Sequence, residues 1–197
     1  MDFRALGIAL VVVVLVWTAA QAATRGILTS RLERYFQAGE FDHCLKILDS
    51  PTARFALPAY NREFMRLSAL ELIMDAEAED KAIQGMLRMR CTPQQRLALL
   101  ARAFDFYAGQ DDRERAAHIL ELIESAGDKE LLKDCRQKFG IVFDKKWSHI
   151  TEMERRLPKA SPAEQVRLCY LLALQYENKG DKARSNEYLK RAGGESA

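Results

Sequence analysis

Between Arg25 and Ala192 the apolar residues recur largely at intervals of three and four, as in Leu97, Leu99, Leu100, Phe104 and Tyr107. No stretch alternates with period two for long enough to make a strand, so the pattern predicts an all-α chain. Local punctuation divides it. Thr92-Pro93-Gln94-Gln95 and Ser161-Pro162-Ala163-Glu164 each place a hydroxyl at the N-cap, a proline at the first helical position and Gln or Glu at the third, so helices are expected to begin there. Pro51 and Pro58 bracket a loop, Gly127 before Asp128 reads as a helix stop followed by a new cap, and Pro158 closes a helix running from about Val142.

A longer period overlies this one. Tyr170 to Ala192, YLLALQYENKGDKARSNEYLKRA, holds two amphipathic helical patterns joined by a turn, with Ala173, Tyr176, Gly180, Ser185, Leu189 and Ala192 at fixed offsets. The same spacing recurs at Tyr35, Gly39, Phe41, Cys44 and Leu48, and again at Phe104, Tyr107, Ala116 and Leu120. Leu70, Ile73, Ala82 and Met86 follow it more loosely. Small residues thus fall at 44, 82, 116 and 185. The last gap is about twice the others, which predicts a degenerate unit centred on Ile150.

These residues resemble the tetratricopeptide repeat, a helix-turn-helix unit of about 34 residues in which small side chains let two helices approach and an aromatic ring fills the space beside them. The resemblance implies about five helix pairs stacked as an αα-hairpin repeat solenoid over residues 25–192, with a disordered tail at 193–197. The closing helix DKARSNEYLKRA is far poorer in apolar residues than its counterpart DRERAAHILELI, as a terminal unit with a polar outer face requires, so Arg184, Glu187 and Arg191 are expected at the surface.

The N-terminus is different. Ala5 to Ala23, ALGIALVVVVLVWTAAQAA, carries no charge and is just long enough to cross a hydrocarbon core of about 30 Å as a helix. Residues 1–24 read as a signal anchor bracketed by Arg4 and Arg25, with Trp17 at one interface. The competing reading is a signal peptide cleaved after Ala20-Gln21-Ala22, which releases an exported domain. If the segment is retained, Arg25, Arg31 and Arg34 against the single Glu33 tilt the positive-inside bias towards a cytoplasmic C-terminal domain.

Composition narrows the chemistry. A net charge of +2 from 30 basic and 28 acidic side chains supplies no clustered basic face, so no nucleic-acid partner is expected. Cys44, Cys91, Cys135 and Cys169 lie far apart without a C-x-x-C pair, which reads as four buried thiols and predicts no metal. Phosphate-binding glycine loops, a zinc-protease helix and a serine elbow are all missing from the sequence, so no cofactor and no enzymatic activity are expected. His43, His118 and His149 fall in three different units, and residues of separated units do not converge in a solenoid. Asp75, Glu77, Glu79 and Asp80 read as solvated charge around a turn.

A surface for binding remains. In the tetratricopeptide family the first helix of each pair lines a concave face that takes extended or helical peptides. Projecting the repeat positions puts Glu33, Phe36, Phe64, Glu71, Asp75, Asp105, Tyr170 and Glu177 towards it, an acidic groove with aromatic anchors. The expectation is a membrane-anchored interaction scaffold or adaptor with a basic or amphipathic peptide or protein partner. The alternative is an exported helical protein whose repeats are structural.

Overall fold

The computed structural model describes residues 3–193, and of residues 3–16 only the backbone. It is all-helical, without a strand among the described residues. Eleven α-helices follow one another: α1 Phe3–Gln37, α2 Phe41–Asp49, α3 Pro51–Ala56, α4 Ala59–Ile73, α5 Ala76–Leu87, α6 Pro93–Gly109, α7 Arg113–Ala126, α8 Lys129–Val142, α9 Ile150–Arg156, α10 Pro162–Asn178 and α11 Lys182–Ala192. The chain folds as two compact units, Met1–Thr92 and Pro93–Ala197.

Caps explain most of the boundaries. Asp75, Asp112, Asp128 and Asp181 each accept a hydrogen bond from the backbone N–H three residues on, at 3.0, 3.0, 2.9 and 3.1 Å, and open α5, α7, α8 and α11. Each satisfies an otherwise orphaned donor in the first turn. Ser161 caps α10 in the expected way, and Ser50 caps α3. That short helix occupies the segment expected to be a loop: Pro51 suits a first helical position as well as it suits a turn, and Ala53 and Ala56 are buried.

The turns repeat more regularly than the side chains. Left-handed backbone occurs at Gly39, Met74, Asp111, Gly127, Lys145 and Gly180, with φ between 54° and 87°; apart from Gly127, which ends α7, they follow one another at intervals of 35, 37, 34 and 35 residues. At four of these turns the residue after the left-handed position donates its N–H five residues back: Glu40 to Tyr35, Asp75 to Leu70, Asp112 to Tyr107 and Asp181 to Tyr176. The pairing satisfies a helix-terminal carbonyl and aims the next helix back along the first. This geometry shifts the second of the expected repeats by three residues. Leu70, Glu79 and Ile83 stand where Tyr107, Ala116 and Leu120 stand in the third, in place of Ile73, Ala82 and Met86. Glu79 is accordingly buried, 6% exposed, and is not the solvated loop charge it was expected to be.

In the first unit Leu28 and Leu32 of α1 pack with Cys44 and Leu48 of α2 and with Ala53, Ala56 and Leu57 in and after α3. α4 lies against α2 and pairs with α5. Among the described residues no helix is long and apolar enough to cross a membrane. Most of the expected span, up to residue 16, lies outside the residues whose side chains are described.

In the second unit α6 pairs with α7 and α10 with α11, and each following first helix touches both members of the pair before it: α8 touches α6 and α7, and α10 touches α8 and α9. The helix expected from about Val142 to Pro158 is interrupted. α8 stops at Val142, Lys145 turns left-handed, and α9 begins at Ile150 and gives way to a 3-10 turn at Leu157–Lys159 that contains Pro158. Two amides of α10 fill the gap: the Gln175 carbonyl oxygen accepts from the His149 N–H at 2.9 Å, and Asn178 Nδ2 donates to the Ile141 carbonyl at 2.8 Å. Arg184, Glu187 and Arg191 are exposed, while Ser185 and Tyr188 are buried. The expected tail beyond Gly193 lies outside the described residues.

Candidate functional site

The first helices α6, α8 and α10 of the second unit, with α9, enclose a cleft of about 70 Å³. Its floor is apolar: Phe104, Met153, Leu168 and Leu171 are at most 5% exposed. These positions are apolar for the ordinary reason that they face the helix interfaces. Its rim is charged. Lys138 Nζ pairs with Asp105 at 2.8 Å, Arg167 approaches Asp134 at 3.6 Å, and Arg156 pairs with Glu164 at 3.0 Å. All six groups are at least partly in water, so these pairs hold the rim weakly and can exchange for a ligand's charges.

Cys135 forms part of the wall. Burial, together with the neighbouring carboxylates of Asp105 and Asp134, pushes its thiol up to about 12. It stays protonated at neutral pH and behaves as a small apolar surface rather than a nucleophile. Cys44 and Cys169 are buried as well, whereas Cys91 is half-buried. Among the described residues no three metal-ligating side chains converge. What the cleft offers chemically is an apolar slot with exchangeable charges of both signs above it.

The eight residues expected in the groove are not all placed for that role. Asp105 lines the cleft, where Lys138 neutralises it. Asp75 is engaged as the cap of α5. Phe36 is half-buried with its edge against Phe41 at 5.6 Å, and Phe64 is half-buried and stacked on Tyr60 at 5.8 Å. Glu33 and Glu71 are exposed in the first unit, and Tyr170 and Glu177 are exposed, seven residues apart, on one face of α10 in the second.

Sequence reasoning missed Asp134, Cys135, Lys138, Arg156 and Arg167. All but Arg167 belong to the degenerate unit, which carries none of the residues that set the repeat register. The available signal was the spacing of Leu131, Cys135 and Lys138 at intervals of four and three, one helical face running from apolar to charged.

A second polar cluster joins α9, α10 and α11. Glu154 Oε1 accepts from the Tyr176 hydroxyl at 2.7 Å and from the Tyr188 hydroxyl at 2.9 Å, the two rings stack at 5.6 Å, and Arg184 donates to the Tyr176 oxygen at 2.7 Å. Burial and the bond to Glu154 push the Tyr188 phenol up to about 12 and raise Tyr176 as well. The cluster reads as a clamp between helices. No protein-family model, no curated protein and no solved structure matches the chain.

Proposed function

We propose that this chain is a tetratricopeptide-like repeat module that captures a peptide segment of a partner protein on its first-helix face, held at a membrane by its N-terminal helix. One observation carries the repeat reading: apart from the Gly127 stop that ends α7, left-handed turns recur at intervals of 34–37 residues from Gly39 to Gly180, including one at Lys145 where the sequence has lost the side-chain signature. A backbone device kept at that period under such different side chains is what a stack of equivalent helix pairs requires.

The cleft supports the partner class. A floor of Phe104, Leu168 and Leu171 under exchangeable rim charges suits an amphipathic segment that inserts one apolar side chain and pairs charges on either side. A basic segment, the other partner considered, would have to displace Lys138 from Asp105 to reach that carboxylate. The retained anchor is preferred over the exported alternative because the uncharged run from Ala5 to Ala23 is long enough to span a bilayer; at the candidate cleavage site Gln21 lies inside α1, and its side-chain amide donates to the Phe55 carbonyl at 3.2 Å.

The test is a selection from a random peptide-display library, comparing the natural chain with Ala101→Trp, which fills the cleft from α6. Enrichment of peptides with an apolar residue between charges, lost in the tryptophan variant, is the expected result. No enrichment, or enrichment untouched by the filled cleft, refutes the reading.

A further inference from the structure

Beyond the anchoring helix itself, the structure pairs two exposed aromatic rings from different elements at the end of the apolar run. The Trp17 and Phe55 rings meet edge-to-face, centroids 4.9 Å apart at 88°, and they are 59% and 40% exposed. Phe55 sits on α3, whose Ala53 and Ala56 turn into the core of the first unit, so the ring points out of that core. The Gln21 amide bonded to the Phe55 carbonyl fixes the end of α3 against α1. An exposed aromatic cluster of this size, built from two elements and held by a hydrogen bond, calls for a partner.

We infer that α3 is a second membrane contact: Phe55 joins Trp17 in the interfacial layer and seats the first unit directly on the bilayer. The inference rests on the proposal that the N-terminal helix is a retained anchor. Three observations favour lipid over a protein partner. The pair is continuous with the uncharged run that ends at Ala23. Aromatic rings with one wet side are the side chains that settle at the membrane–water interface. The groups next along α1 then match the layers they would meet. At 1.5 Å per residue, Gln21 lies about 6 Å beyond Trp17 and Arg25 about 12 Å beyond it. A headgroup layer is about 5–8 Å deep on each side. Gln21 therefore falls within it, and Arg25 lies a few ångströms beyond it on the aqueous side. Between α1 and the end of α3 an open basin of about 620 Å³, lined by Thr18, Gln21, Arg25 and Leu57 among others, gives a headgroup room at that level.

Two single-tryptophan forms of the full chain test this in phosphatidylcholine vesicles, since the sequence holds only Trp17 and Trp147. The first carries Trp147→Phe and reports from position 17. The second carries Trp17→Phe, Phe55→Trp and Trp147→Phe and reports from position 55, its helix content checked by circular dichroism. Lipids brominated high on the acyl chain are expected to quench both, with blue-shifted emission from each. Quenching at 17 with water-like, unquenched emission at 55 overturns the seat and leaves the anchor standing. Absence of quenching at both positions overturns the anchor and the seat together.

Discussion

Tyr188 and Tyr176 share one carboxylate oxygen, and that fixes how they titrate. Burial opposes ionisation, and Glu154 binds the neutral phenols and repels the phenolates, so the Tyr188 phenol is pushed from 10 to about 12. A folded-state value above the unfolded one contributes stability that is complete below about pH 10 and is lost as pH rises towards about 12. An ultraviolet absorbance titration should therefore show tyrosines that ionise late and together with alkaline unfolding, and Tyr188→Phe should remove the later of them. Titration of every tyrosine near the ordinary value would contradict the clamp. The thiols give a second reading at this scale. Iodoacetamide at neutral pH should label Cys91 first, because Cys44, Cys135 and Cys169 are buried and the first two have raised pKa values besides. Rapid labelling of Cys135 in the folded chain would mean that the cleft wall is not as described.

At the scale of elements the turns are where sequence and structure part company. Gly39 and Gly180 were readable because glycine announces left-handed backbone. Met74, Asp111 and Lys145 adopt it with no such mark, which is why the second of the expected repeats was placed three residues late and the degenerate repeat lacked a turn. Left-handed backbone at a side-chain-bearing residue costs about 1 kcal/mol, so Met74→Gly, at a position 88% exposed, should stabilise the chain by about that amount in chemical denaturation. Asp75→Ala at the next position should cost about 1 kcal/mol through loss of the α5 cap. A neutral result for both would mean that the turn does not set the helix pair. The slots facing these turns are tight: Ala116 is fully buried where α7 packs on α6, and Ala116→Leu should cost about 1–3 kcal/mol by overpacking.

For the whole molecule, helix type was legible because it rests on spacing, which survives wide variation in side chains. The site was mostly illegible. Only Asp105 of the expected groove residues lines the cleft, and the others were assigned from family positions that Asp75 uses as a cap and that Phe36 and Phe64 use for aromatic packing. The cleft exists because α8 belongs to a unit that departs from the pattern: its turn is lengthened to span residues 143–149, and α9 is short. A ruler built from the regular units could not see what the irregular one leaves open.

A methyl-detected NMR titration with a display-selected peptide tests whether the face formed by α6, α8 and α10 takes an amphipathic peptide. The account predicts that the methyl groups of Leu131, Met153, Leu168 and Leu171 shift on binding while those of Leu48, buried in the first unit, do not. Shifts that avoid the cleft methyls in a peptide that nevertheless binds would contradict it.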